Sequence, residues 1–399
     1  MLKASSAIGS LSSSPTLAVT ARVKELKAQG VNVIGFGAGQ PDFDTPEHIK
    51  DAAVQALREG YTKYVVPASG ALELKAAIVE KFKADNGLEY ETGQIVVSCG
   101  AKQSLFNAFH ALLNPGDEAI IPAPYWVSYP EQVKSTGARP VIVETGASFK
   151  LDPSRLEAAI TPRTKLLVLN SPSNPTGAVY SREELESIAT VAVKKGIGVV
   201  SDEIYEKILY DGAEHVSIAS LNERIRSQTI VVNGVSKSYA MTGWRIGYAG
   251  GPKEIMTVVS RLQDQSTSGP TSISQRASIA ALRGDQSCVT RMVQAFDERR
   301  KLIVARVSEI LEIEIRPPTG AFYLFADVSG LFGSVHNGSE IRCATDLANY
   351  LLDTARVAVV SGEGFGAPHC VRFSYAMSTD DINEGMDRIG EAVQRLRKA

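Results

Sequence analysis

Asn233-Gly-Val-Ser-Lys237-Ser-Tyr-Ala-Met-Thr-Gly-Trp-Arg245-Ile-Gly247 follows the β-branched run Ile230 to Val232, so a strand runs into a turn of small residues that holds one lysine. Eight residues beyond that lysine, Arg245 stands between apolar neighbours. A lysine at the end of a buried strand is partly desolvated, which favours its neutral, nucleophilic amine. Taken alone, a Ser-Lys pair at a strand end reads as a snorkelling lysine.

Ahead of this stretch, short apolar runs alternate with helix-length stretches. The runs are Ile95 to Val97, Glu118 to Ile121, Leu166 to Leu169, Ile197 to Val200 and Ile230 to Val232. That alternation predicts an α/β fold with a mostly parallel sheet covered by helices on both faces. Near the start, Val19, Val23 and Leu26 share one face of a predicted helix over Thr16 to Gln29, opened by Ser14-Pro15 and stopped by Gly30. At the other end, Ile382, Met386, Ile389, Val393 and Leu396 step at helical spacing after Ser378 and Thr379. A chain of 399 residues exceeds what one core usually holds. The expected layout is a large domain over 46–295, with 1–45 (an N-terminal arm) and 296–399 meeting in a smaller α+β domain.

Composition narrows the function. Hydrophobic content of 44% and charged content of 22% are ordinary for a globular protein. A net charge of -2 gives no electrostatic case for a nucleic-acid or membrane partner. No apolar run approaches the ~18 residues of a membrane span, and the Ser-rich Ala7 to Ser14 has neither a basic leader nor an export core. Cys99, Cys288, Cys343 and Cys370 form no C-x-x-C pair, and the five histidines show no metal-like spacing. A cytoplasmic protein without a metal is expected. Gly362-x-Gly364-x-Gly366 opens no recognisable helix and is poor evidence for a dinucleotide site.

Other segments carry chemistry of their own. Asp202 lies just past an apolar strand, at the crevice where open α/β sheets bind ligands, and Tyr205 follows in a turn expected to lead into a helix. Glu203 is expected to point the other way. Asn170-Ser-Pro-Ser-Asn174-Pro-Thr-Gly177 is kept extended and helix-free by its X-Pro pairs, and presents an amide into the crevice. Gly100, Ala101 and Lys102 join a strand to a helix whose exposed N–H groups suit an anion. Lys102 is unfavourable beside the positive end of that helix unless an anion is near. Trp126 offers a flat face at the same end of the sheet. Arg372 sits inside an apolar strand, where a guanidinium needs a partner and a bidentate fork fits a carboxylate; a structural Arg–Asp pair is the alternative.

The string around Lys237 resembles the pyridoxal-5′-phosphate (PLP) attachment signature of the class I/II aminotransferases. Nearly the whole chain is similar to the bacterial-type (subgroup I-beta) aspartate aminotransferase branch. Ser14-Pro-Thr16-Leu-Ala-Val, Gly39-Gln-Pro-Asp-Phe-Asp, Thr62-Lys-Tyr64, Pro124-Tyr-Trp-Val-Ser-Tyr-Pro130 and the segments around Asn174, Asp202, Lys237 and Arg372 carry the likeness, in order. The resemblance implies PLP-dependent transferase fold type I and a Schiff-base role for Lys237. It implies that Asp202 pairs with the pyridine N–H, that Tyr205 and Asn174 reach O3′, and that Trp126 stacks on the ring. Gly100, Ala101, Lys102, Ser236 and Arg245 become further cofactor contacts, joined by Tyr64 from the neighbouring subunit of a homodimer. Gly39, Trp126, Asn174 and Arg372 become substrate contacts, with Arg372 on the α-carboxylate. The classical branch binds the distal carboxylate with a partner-subunit arginine, and Asp264 to Gly269 has none. In the branch resembled here Lys102, Thr16 and Ser14 match the positions that take that job, so Lys102 is open to phosphate or substrate. The implied reaction is ping-pong transamination of L-aspartate with 2-oxoglutarate. A dual aspartate/prephenate enzyme and an aminotransferase for another donor are the alternatives, ahead of a C–S lyase, a PLP-fold regulator or a nicotinamide dehydrogenase.

Overall fold

Seven strands build the central sheet of the computed structural model, which describes residues 2, 5–9 and 11–398. They are β1 (Ile95–Ser98), β2 (Glu118–Ala123), β3 (Arg139–Glu144), β4 (Thr164–Asn170), β5 (Gly198–Asp202), β6 (Thr229–Gly234) and β7 (Gly247–Gly250). Their spatial order is β1-β7-β6-β5-β4-β2-β3. All neighbours run parallel except β7, which is antiparallel to both β1 and β6. Every residue of β1, β6 and β7 is buried, which is why these strands read as continuous apolar or small runs. β7 has the sequence Gly-Tyr-Ala-Gly and carries no β-branched signal. Its small residues answer to a close neighbour, because a Cβ on Gly247 would lie 2.0 Å from the Ala101 nitrogen.

Ten helices of eight or more residues flank the strands among the described residues. They are α1 (Pro15–Ala28), α2 (Glu47–Arg58), α3 (Leu72–Asn86), α4 (Ala101–Leu112), α5 (Ser128–Ser135), α6 (Arg182–Lys195), α7 (Lys253–Asp264), α8 (Ser272–Arg283), α9 (Ser287–Ser308) and α10 (Thr379–Gln394). Among the described residues, no helix is long and apolar enough to cross a membrane. α1 buries Leu26 and half-buries Val19 and Val23, the predicted face.

A second core forms against the antiparallel strands β8 (Glu314–Ile315), β9 (Tyr323–Asp327), β10 (Val360–Ser361) and β11 (Cys370–Ser374), ordered β10-β11-β9-β8. Both chain ends enter it. Ile34–Gly35 pairs in parallel with Val357–Ala358, and Phe36 meets Phe373 edge to face with centroids 5.6 Å apart. α9 belongs to both cores: Val289 packs with the helices on the central sheet, whereas Met292, Phe296, Ile303 and Val307 pack in the second core. α10 is capped by the Ser378 hydroxyl, which accepts the Asp381 N–H. The expected helical run to Leu396 stops at Gln394, because Arg397–Lys398 leave to pair with Ser334 and Val335.

The carboxyl ends of β2, β4, β5 and β6 open on one crevice. Trp126, Asn174, Asp202 and Lys237 each lie at the end of one of these strands or in the turn just beyond it.

Candidate active site

Beyond β6 the chain closes a small loop. The Tyr239 N–H reaches the Val235 carbonyl at 3.3 Å, and the Met241 N–H reaches that of Ser236 at 3.1 Å. Lys237 lies within this loop, beside buried Ser236, and its Nζ donates to the Gly39 carbonyl at 2.6 Å. It also stands 5.8 Å from the centre of the Tyr205 ring. Desolvation, helped by the cations Arg245, Arg372 and Lys102 and opposed by Asp202, brings the amine down to about 8. At pH 7 roughly a tenth of such an amine is neutral and nucleophilic.

Asp202, the buried last residue of β5, accepts the Tyr129 hydroxyl at 2.8 Å and the Ile204 N–H at 3.3 Å. Burial, only partly opposed by these neutral donors, pushes its carboxyl up to about 6. Glu203 turns to the opposite face, where the Ser201 and Ser217 hydroxyls and His215 Nε2 hold it. Tyr205 occupies a turn, but no helix follows. Tyr205, Ile208 and Tyr210 are drawn into the second core, and Leu209 bridges to Gly320. The Tyr205 and Tyr323 hydroxyls share a 2.8 Å hydrogen bond.

The Asn170–Gly177 segment is helix-free but folds back rather than staying extended. Ser173 and Ala178 pair through their backbones, and the Gly177 N–H bonds the Ser173 carbonyl. Asn170 explains the shape, since its amide donates to the Asp202 carbonyl and its Oδ1 accepts the Asn174 N–H at 2.8 Å. Asn174 Oδ1 thereby meets Arg372 Nη1 at 2.9 Å. Arg372, in β11, is 1% exposed. Its Nη2 donates to the Gly37 carbonyl at 3.0 Å, and its Cζ lies 4.4 Å from the Tyr323 ring centre and 5.1 Å from that of Phe365. Its buried Nε has no partner, and no carboxylate pairs with it among the described residues. A structural Arg–Asp pair is therefore excluded among those residues.

The helix start expected to suit an anion is that of α4. Gly100, at φ +87°, precedes the helix, and a Cβ there would lie 2.3 Å from Arg245 Nη2. Only glycine lets the guanidinium settle against the helix entrance. Arg245 donates to the carbonyls of Thr242 (2.9 Å) and Cys99 (3.2 Å). Ala101 opens the helix, and Lys102 follows, exposed, with Nζ 4.8 Å from the centre of the Trp126 ring. Desolvation first, then Arg245, holds the Lys102 amine below its ordinary value. Trp126 is half-buried and edge-on to Tyr129 at 5.3 Å.

Three predicted positions stand further out. The Ser14 and Thr16 hydroxyls bond each other at 2.9 Å at the entrance of α1, and Val19 of that helix packs in the cluster that includes Trp126. Tyr64 is 90% exposed on the segment before α3, apart from the Lys237 crevice. Glu203, Glu206 and His215 bring ligand-type atoms within 4.8 Å of one another, a grouping that spacing did not announce. The Lys81 ammonium pairs with Glu206 there, and the Asn86 amide donates to it, so that carboxylate already has its partners. Sequence reasoning missed Tyr129, Tyr323 and the Gly37 carbonyl. Tyr129 lies three residues after Trp126 and so on the same side of a helical turn, whereas Tyr323 and Gly37 are brought in by the tertiary fold and carry no local signal.

The residues that meet here are four cations, Lys102, Lys237, Arg245 and Arg372, around one carboxylate, Asp202. A family model described as Aminotransferase class I and II matches residues 31–389. The chain is 50% identical over 389 residues to an aspartate aminotransferase of Bacillus sp. (strain YM-2), covering 97% of this chain and 98% of the relative. It is 48% identical over 393 residues to an aspartate/prephenate aminotransferase of Nitrosomonas europaea, covering 97% and 99%. Its structure is similar to the crystal structure of the aspartate aminotransferase from Rhizobium meliloti, with a TM-score of 0.96, 46% identity and full coverage of both chains.

Proposed function

The chain belongs to the class I and II aminotransferases, and from that premise we propose that it is a PLP-dependent aspartate aminotransferase, converting L-aspartate and 2-oxoglutarate to oxaloacetate and L-glutamate. The observation that carries this reading is the excess of cations: four surround a single carboxylate. Such a crevice is electrostatically incomplete, and a phosphate together with a dicarboxylic substrate would complete it.

PLP fits the residues present. The cradle formed by Gly100, Ala101 and Arg245 would take its phosphate, and buried Asp202, whose hydrogen-bond partners are neutral, would pair with its pyridine N–H. Tyr205 and Asn174 would serve its ring oxygen, Trp126 its ring face and Lys237 its aldehyde carbon. When bound, PLP supplies an electrophilic carbon for the substrate amine and an electron sink for the pair released at the substrate Cα.

The protein's own groups do the rest. Arg372 fixes the α-carboxylate with its fork, exchanging the Gly37 carbonyl for a charged partner, and so orients the Cα–H bond. Lys237 is placed to take the Cα proton; an amine near 8 is well matched to that task at neutral pH. Lys102 meets the distal carboxylate beside Trp126, with Thr16 and Ser14 at the rim. A homodimer in which Tyr64 reaches the partner's phosphate completes the site. The division into 1–45, 46–295 and 296–399 and a cytoplasmic setting belong to the same reading, the latter in keeping with four free cysteines.

Absorbance tests it. The PLP-loaded protein should show a visible band that collapses with aspartate and glutamate and only slowly with alanine. A band indifferent to aspartate would overturn the substrate assignment, and no band after reconstitution would overturn the cofactor. Lys102→Ala should lose about 10-fold or more in kcat/KM for aspartate while sparing alanine. A second reading, a dual aspartate/prephenate enzyme, is favoured by the name of the Nitrosomonas europaea relative. Amino transfer to prephenate, followed by product chromatography, decides between them.

A further inference from the structure

One hydroxyl ties together the two ends of the cofactor-holding segment. Thr45 Oγ1 donates to the Ala240 carbonyl at 2.8 Å and accepts the Trp244 indole N–H at 2.9 Å. Ala240 and Arg245 both have positive φ, at 50° and 57°. The segment from Lys237 to Arg245 therefore makes two left-handed reversals, each unfavourable for a residue with a Cβ. The first reversal turns the Ala240 carbonyl out of the loop that encloses Lys237, leaving Thr45 as its donor. The second, just after Trp244, aims the Arg245 side chain at Gly100.

Thr45 is well placed to resist distortion. Pro46 confines its backbone to extended geometry, and branching at Cβ restricts χ1. Pro46 caps α2, whose Ile49 and Ala53 are buried in the core beside the central sheet. The same stretch touches the segment twice more, through Lys237 Nζ on the Gly39 carbonyl and the Thr242 hydroxyl on Gln40 Oε1 at 3.3 Å.

We propose that Thr45 is a positioning residue: by bridging Ala240 and Trp244 it sets the spacing between Lys237 and Arg245, the groups that would hold the aldehyde and phosphate ends of PLP. The inference rests on the reading of Lys237 and Arg245 given above. Thr45 touches neither substrate nor cofactor and acts only through the segment.

The test compares Thr45→Val, which keeps the shape and removes the hydroxyl, with Thr45→Ser, which keeps the hydroxyl. PLP affinity of the cofactor-stripped protein is titrated by absorbance, with kcat and KM for aspartate and the melting temperature of the stripped protein measured alongside. Thr45→Val should weaken PLP binding about 10-fold and lower kcat with little change in KM, whereas Thr45→Ser should stay within about twofold of the parent. Trp244→Phe, which removes one of the two bonds, should fall between them and carries the test if Thr45→Val does not fold. Unchanged PLP affinity and kcat in Thr45→Val, with only a lower melting temperature, would overturn the inference. So would a Thr45→Ser variant as impaired as Thr45→Val. Failure of the unaltered chain to bind PLP would instead bring down the functional reading and this inference with it.

Discussion

Lys237 and Arg372 are each held by a carbonyl oxygen from one short stretch, Gly39 and Gly37 respectively. A carbonyl satisfies a cation's donors without neutralising its charge, so both groups stay ready for an anionic or electrophilic partner. For Lys237 the consequence is measurable. Burial first, then the neighbouring cations, bring its amine down to about 8, so the rate of PLP capture should rise about tenfold per pH unit below that value and level off above it. Stopped-flow absorbance across pH 6 to 9, a range set about that pKa, would reveal this, and a flat profile would contradict it. Arg372→Lys keeps one charge but loses the fork that spans Asn174 and Gly37. It should raise KM for aspartate and alanine alike, by about 10-fold or more, in steady-state assays. Much at this scale was legible in the sequence, because Lys237, Asp202, Asn174 and Arg372 each sit inside a strand, at its end or in the turn just beyond it, with a residue type unlike its surroundings. Tyr323 and Thr45 were not, since a buried tyrosine and a pre-proline threonine look ordinary until folding carries them to partners more than a hundred residues away.

At the scale of elements, β-branched runs announced β1, β2, β4, β5 and β6, while β7 and β3 passed unread. Gly-Tyr-Ala-Gly in β7 reflects the closeness of α4 rather than strand propensity. β3 is an edge strand with an exposed arginine and a proline in its first two positions. A buried carboxylate binds that edge to the sheet. Glu118, 0% exposed at the head of β2, takes Arg139 of β3, Arg163 from the approach to β4 and the Thr161 hydroxyl. These partners, Arg139 first, lower its carboxyl to about 2 from an ordinary 4.5. A depressed carboxylate contributes stability that is complete above its unfolded value and disappears as pH falls through the folded one. Glu118→Gln should therefore cost about 1 kcal/mol near neutrality, a figure kept small because both arginines remain largely solvated. Urea denaturation of the two proteins should converge as pH drops from about 4.5 towards 2. A gap that persists in acid would mean that shape rather than charge holds the edge.

At the scale of the molecule, Tyr64, Val66, Leu72, Leu57 and Val54 leave 90%, 85%, 63%, 53% and 43% of their surface exposed around the segment that leads into α3. That apolar border agrees with the proposed second copy. Light scattering should return twice the mass of one chain, and Tyr64→Ala should weaken PLP affinity about tenfold while leaving the mass unchanged. The cation-rich crevice also bears on how the protein is handled. Without its cofactor the fold keeps four like charges together, and any small oxyanion in the buffer relieves them by mass action. Phosphate should raise the melting temperature of a stripped sample with each increment in concentration, and PLP added in phosphate should bind more weakly than in an amine buffer. Storage salt is thus a hidden competitor, and affinities measured in different buffers will disagree until it is counted.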